Sequence, residues 1–200
     1  MNRVEVVLCD YGAGNLRSVS AAFARAGATT VVSTDPVEVL EAPLAVIAGV
    51  GHVESAARGL EPVATAIRER VARDRPTLGI CVGMQLLFDE SEEGGRGLGL
   101  LRGPVRRLRA SRVPHMGWNA LALRRDTALL EGLDAADVYF AHSYAVEPAK
   151  GLAIAEVEHD GPIVAAVEQN ALAGVQFHPE RSGAAGARVL ENVLRWSRNA

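Results

Sequence analysis

The first half of the chain alternates short apolar runs with longer segments of helical period, and this alternation restricts the fold more than any single residue does. Val4 to Cys9 reads as a buried strand. Asn15 to Ala26 follows as a helix that gathers Leu16, Val19, Ala22, Phe23 and Ala26 on one face and stops at Gly27. Thr29 to Ser33 is a second strand, Asp35-Pro36 opens a short helix to Glu41, and Leu44 to Ala48 is a third strand. A long amphipathic helix from Ser55 to Arg73 leads to a fourth strand, Pro76 to Ile80, which runs into a helix from Val82 to Phe88. Alternation at these lengths predicts a parallel sheet with helices on both faces.

The second half changes character. Val105 to Leu108, Trp118 to Leu123, Val138 to Ala141, Leu152 to Glu158, Ile163 to Glu168 and Ala171 to Phe177 read as strands with few helices between them. His159-Asp160-Gly161-Pro162 and Gln169-Asn170 fit hairpin turns, so several of these pairings should be antiparallel. A last helix from about Ala184 to Arg198 carries Val189, Leu190, Val193, Leu194 and Trp196 for docking. The stretch Glu92 to Gly97 is the most loop-like, and no repeat or low-complexity linker divides the chain. The expectation is one three-layer α/β domain over residues 1–200, with a mixed, mostly parallel sheet.

Composition narrows the function. With 48% hydrophobic and 22% charged residues, a chain of 200 residues can bury one ordinary core. A net charge of −3 argues against nucleic acid, which needs a dense cationic face, and Arg102, Arg106, Arg107, Arg109 and Arg112 read as a solvated strand and loop. The apolar run entered at Val4 stops at Asp10, which fits neither a signal peptide nor a spanning helix, so a cytoplasmic protein without membrane contact is expected. Only Cys9 and Cys81 are present, without the spacing of a zinc site, and a reducing compartment leaves both as thiols. Neither a metal nor a cofactor is expected.

Cys81 stands in Gly79-Ile80-Cys81-Val82-Gly83, at the junction of an apolar strand and a helix. That is the pattern of a nucleophile elbow, in which flanking glycines relieve a crowded turn. A helix start also favours the thiolate, and the Val82 N–H is placed to stabilise an oxyanion. Cys9 ends a buried strand with no such context and reads as packed. Of five histidines, His178 in Phe177-His178-Pro179-Glu180 is the best base. Pro179 holds His178 extended, and in an extended segment the Glu180 carboxylate two residues on projects to the same side, where it would orient the imidazole. His159 lies in an exposed turn, His142 lacks an acidic neighbour, and His115 falls in an unusual loop, Val113 to Asn119. His52 is held in reserve, because the Gly49-Val50-Gly51-His52 loop leaves a strand end near Cys81 and the Val50 amide is a candidate second oxyanion donor. The elbow alone leaves a cysteine peptidase open, and a flavodoxin-like binding module with an incidental thiol is a further alternative.

Gly79 to Leu87 and Gly174 to Glu180 together resemble the class I glutamine amidotransferases, whose triad is Cys, His and Glu. Asp10 to Leu16, Pro114 to Asn119 and Phe140 to Tyr144 look more narrowly like the family of glutaminase subunits of imidazole glycerol phosphate synthase, in histidine biosynthesis. The resemblance implies a flavodoxin-like architecture and L-glutamine as substrate, with Cys81, His178 and Glu180 as the triad. It also implies that Gln85, Glu93, Ser143 and Tyr144, beside the backbone of Gly49 and Gly51, hold the glutamine. Ammonia would pass to a (β/α)8-barrel cyclase subunit, partner in a heterodimer that forms imidazole glycerol phosphate and AICAR, with Asn15, Met116 and Trp118 facing it. The sequence departs from the family pattern at Ala48, where a proline is usual, and at His52-Val53, where a small-aromatic pair is usual. A glutaminase serving pyridoxal phosphate synthase is the alternative within the class.

Overall fold

The computed structural model describes residues 3–12 and 14–199; Ala13, within the Asp10 to Leu16 stretch, lies outside them. The first half holds β1 (Glu5–Cys9), α1 (Leu16–Arg25), β2 (Thr29–Ser33), α2 (Pro36–Glu41), β3 (Leu44–Gly49), α3 (Val53–Ala72), β4 (Thr77–Cys81) and α4 (Val82–Gln85). The second half holds β5 (Glu90–Ser91), β6 (Pro104–Arg107), β7 (His115–Ala120), β8 (Ala122–Leu123), β9 (Asp137–His142), β10 (Tyr144–Val146), β11 (Ala153–Glu158), β12 (Pro162–Gln169), β13 (Leu172–Val175) and α5 (Gly183–Trp196).

One eight-stranded sheet runs β2-β1-β3-β4-β13-β12-β11-β8. Pairings from β2 to β13 are parallel, and those from β13 to β8 are antiparallel. The expected mixed sheet and both hairpin turns are therefore present, with Asp160 and Asn170 at φ 54° and 52°. Right-handed crossovers place α1, which leads leftward from β1 to β2, on one face. The rightward steps carry α2 and α3 to the other face, where they pack on each other, while α1 packs against α5. Every residue of β3, β4 and β13 is buried, as strands covered on both sides must be. A small sheet, β10-β6-β5, and an antiparallel ribbon, β7-β9, sit beside this frame.

Several elements differ from the expectation. Helix α3 begins two residues early because Oε2 of Glu93, from a distant turn, accepts the Val53 N–H at 2.8 Å and satisfies its first turn. Helix α4 is a single turn rather than a helix to Phe88. The amides of Leu98, Leu101 and Gly99 return to take the carbonyls of Leu86, Leu87 and Phe88, so no helical ladder can continue through them. The expected strand from Trp118 to Leu123 is split into β7 and β8, and β7 starts at His115 rather than leaving it in a loop. Its partner is β9, with His115 opposite His142. Strands β5 and β10 are additional to those expected. Among the described residues no helix is long and apolar enough to cross a membrane.

Candidate active site

Strands β3, β4 and β13 end together, and they bring the Gly49–Gly51 loop, Cys81 and His178, the expected oxyanion loop, nucleophile and base, to one place. Gly49 pairs with Cys81 across β3 and β4, and Val175 pairs with Ile80 across β13 and β4. Cys81 has φ 54° and ψ −111°, a conformation that costs a non-glycine residue about 1–3 kcal/mol. Its surroundings enforce it. A Cβ on Gly79 would lie 2.6 Å from the Gly83 carbonyl oxygen, and one on Gly83 would lie 1.7 Å from the carbonyl oxygen of Ile47. The elbow is as crowded as the glycine pattern implies.

Cys81 and His178 are only 3% and 4% exposed. Nδ1 of His178 lies 2.9 Å from Oε1 of Glu180. The contact agrees with expectation but the route does not, since Pro179–Arg181 form a 3₁₀ turn and only His178 itself is extended. The turn, not strand alternation, folds the carboxylate back. The main chain of His178 is pinned as well: its N–H donates to the Tyr139 carbonyl at 2.9 Å, and its carbonyl accepts from the Ser182 hydroxyl at 2.6 Å. Burial alone pushes the imidazole pKa down, but hydrogen bonding and charge from Cys81 and Glu180 overcome it and raise the value to about 10. Cys81 and Glu180 therefore both favour the charged form of the ring. The other thiol is the opposite case. Cys9 is buried among apolar neighbours, which pushes it up to about 12 and leaves it inert.

A cleft of about 270 Å³ opens over Cys81 and is lined by Val50, Gly51, Val82, Gln85, Glu93, Ser143 and Tyr144 among others. The expected substrate residues are thus gathered there with one exception. Gly49 is buried beneath the cleft, where a Cβ would strike the Tyr11 hydroxyl at 1.7 Å; that hydroxyl donates to the Ala48 carbonyl at 2.8 Å. Ala48 is therefore held by Tyr11, in the stretch that includes Asn15. Val50 is 45% exposed and is followed by Gly51 at φ 95°. His52 is not a competing base, because its Nδ1 lies 3.0 Å from Glu93 Oε1 and its side chain is 77% exposed. Asn15 is exposed, Met116, 65% exposed, lines the cleft from β7, and Trp118, 57% exposed, lies two residues further along that strand, edge-on to Tyr139.

One residue in contact with Cys81 has no role in the sequence reading. Gln176, fully buried, places Nε2 3.7 Å from the Cys81 sulfur and receives Nε2 of Gln85 on its Oε1 at 3.0 Å. Its position two residues before His178, at the end of β13, was the available signal.

Comparison with known proteins accords with this geometry. The class-I glutamine amidotransferase family matches residues 7–196. The imidazole glycerol phosphate synthase subunit HisH of Mycolicibacterium paratuberculosis is 45% identical, with 97% of this chain and 98% of that protein aligned. The HisH subunit of Geobacillus kaustophilus is also 45% identical, over 94% of each chain. Among solved structures, PurLQS from Thermotoga maritima superposes with a TM-score of 0.79 over 98% of this chain and 99% of that one, at 20% identity, and shares the fold. The glutaminase domain of Trypanosoma brucei CTPS superposes at 0.69 over 98% and 94%, at 18% identity. The chain belongs to the class-I glutamine amidotransferases and, within them, to the family of HisH subunits of imidazole glycerol phosphate synthase.

Proposed function

We propose that Cys81, His178 and Glu180 carry the glutaminase chemistry of this chain, acting as one domain on L-glutamine in the cleft above β4. The observation that carries the reading is the buried imidazole of His178, 2.9 Å from the Glu180 carboxylate and with its pKa raised by its hydrogen bonding and charge interactions with Cys81 and Glu180. Sγ of Cys81, its proton passed to His178, attacks the side-chain carbonyl carbon of glutamine, and the oxyanion forms against the amides of Val82 and Val50. His178 gives its proton to the departing nitrogen as the C–N bond breaks, leaving a glutamyl thioester. Water, deprotonated by His178, then attacks the thioester and releases glutamate and the thiol. Glu180 holds the imidazole tautomer through both halves. Gln85, Ser143, Tyr144 and Gly51 orient the glutamine. Glu93, which also caps α3, shapes the cleft wall.

The ammonia goes to a cyclase subunit, a (β/α)8 barrel that docks over Asn15, Met116 and Trp118 to form a cytoplasmic heterodimer making imidazole glycerol phosphate in histidine biosynthesis. Val50 stands exposed beside this surface, which supports a second oxyanion donor that is set by the partner. The test measures glutamate release by the chain with and without its cyclase and nucleotide, alongside labelling by an electrophilic glutamine analogue. Wild type should label at Cys81 and turn over faster with the partner. Cys81→Ser should lose both, by more than about 10³-fold in kcat. Retained turnover in Cys81→Ser, or peptide cleavage indifferent to glutamine, overturns the reading.

A further inference from the structure

Asn119, His115, His142, Gln85 and Gln176 form a hydrogen-bonded chain that begins on the exposed ribbon and ends on the sulfur of Cys81. Nδ2 of Asn119 lies 3.3 Å from Nε2 of His115, and Nδ1 of His115 lies 3.1 Å from Nε2 of His142. Nδ1 of His142 lies 2.9 Å from the Tyr144 carbonyl, which also accepts from Nε2 of Gln85 at 2.8 Å. The remaining Gln85 proton goes to Gln176, whose own amide reaches Sγ of Cys81.

The chemistry permits one arrangement of protons. A carbonyl only accepts, so His142 Nδ1 must donate to Tyr144. In a neutral imidazole the other nitrogen then accepts, so His115 Nδ1 donates to His142 and His115 Nε2 accepts from the Asn119 amide. Both rings are neutral: burial, with His159 adding to it, pushes His115 down to about 4, and burial with further histidine neighbours pushes His142 down to about 3. His115 is clamped between Phe140 and His159, with ring centroids 4.6 Å and 4.3 Å away, so its plane is fixed. Every donor meets an acceptor, and the two branches converge on the Tyr144 carbonyl.

We propose that Gln176 is a positioning residue for the Cys81 sulfur, and that His142 and His115 are positioning residues that act through the Tyr144 carbonyl and Gln85 to hold it. The amide of Gln176 stabilises negative charge on Sγ and fixes its direction. The histidine pair fixes the lone pair to which Gln85 is tied, and so places the Gln85 side chain at the cleft wall. Strand alternation connects this chain to the outside: His115 and Asn119 point inward from β7, whereas Met116 and Trp118 point outward. A shift of β7 is therefore passed to the nucleophile through side chains, independently of the Gly49–Gly51 loop. The proposal rests on Cys81 as the nucleophile.

The test compares two pairs of variants by the rate at which iodoacetamide alkylates Cys81 in the intact chain at pH 7, and by kcat and KM for glutamine with the partner subunit bound. Gln176→Glu keeps the acceptor for Gln85 but cannot donate to sulfur, and should alkylate about tenfold more slowly, as expected for one lost charge-assisted hydrogen bond. Gln176→Met fills the same volume and should show a smaller loss of the same sign. His142→Phe fills the ring volume without a donor, whereas His142→Asn leaves a void but restores an amide near the Nδ1 position. Positioning predicts that Asn outperforms Phe in alkylation and kcat, although Phe has the higher Tm. Equal alkylation by wild type and Gln176→Glu, or His142→Phe outperforming His142→Asn, overturns the proposal. Turnover retained in Cys81→Ser would instead sink the assigned nucleophile, an outcome separate from the alkylation order.

Discussion

His178–Glu180 and His52–Glu93 are two histidine–glutamate pairs of nearly equal length, 2.9 Å and 3.0 Å, in very different company. The first has side chains 5% and 3% exposed, and the second has its imidazole 77% exposed. Solvent screens the exposed pair, so it contributes at most a few tenths of a kcal/mol through charge, and its use is to hold a carboxylate at the start of α3. In the buried pair the carboxylate and the neighbouring thiol decide the protonation of the ring. The His115–His142 pair is a third case, equally buried but facing no carboxylate, and both rings are pushed toward the neutral form. Distance alone therefore says little about what a histidine does. Burial sets the stakes, and the sign of the nearest charge sets the outcome.

Removing the charge from the buried pair should have the largest effect. Glu180→Gln is expected to lower glutaminase kcat by about 10²–10⁴-fold, since the imidazole loses both its orienter and its counter-charge. An NMR titration of His178 in that variant should show a lowered pKa, and an unchanged value breaks the comparison. Adding a charge to the neutral pair is the converse experiment. Asn119→Asp puts a carboxylate where an amide lies 3.3 Å from His115, and should raise the His115 pKa by about 1–3 units in the same measurement.

Stability against pH should show the two buried pairs with opposite signs. The unfolded chain takes up protons at His115 and His142 near their ordinary value of 6.5, whereas the folded chain refuses them until about pH 4 and about pH 3. Stability should thus fall as pH drops from 6.5 toward 4, by about 1.4 kcal/mol per unit for each ring, and denaturant melts of His142→Asn should show a shallower slope. His178 binds its proton more tightly when folded. Its contribution is complete below pH 6.5 and is lost as pH rises toward 10. The smallest effect belongs to the exposed pair: His52→Ala should change unfolding free energy by less than about 0.5 kcal/mol. A larger loss would mean that its ring, and not only Glu93, secures α3.

Much of this was legible in residue order. The central strands of the parallel half announce themselves because burial on both faces demands continuous apolar runs, and the elbow because only glycine fits at positions 79 and 83 around Cys81. The pairing of His178 with Glu180 was legible too, although a 3₁₀ turn makes it. What escaped was tertiary. Helix α4 stops because a returning segment from residues 97–101 claims the carbonyls of Leu86, Leu87 and Phe88, just beyond it. His115 meets His142 only through the register of β7 on β9, which no local pattern announces. The alternation of His115, Gly117 and Asn119 with Met116 and Trp118 was nevertheless a strand signal, obscured by the glycine and by polar residues on the buried side.

Beneath the chemistry, β4 is hydrogen-bonded to β3 on one side and to β13 on the other, in the middle of the sheet. Amide protons of these strands can exchange with solvent only when the molecule opens as a whole, whereas those of residues 50–52, beyond the end of the ladder, can exchange through a local opening. Cys81, the expected nucleophile, and the strand that carries it therefore share the lifetime of the native state itself. The loop expected to receive the oxyanion can rearrange many times within that lifetime, without disturbing either.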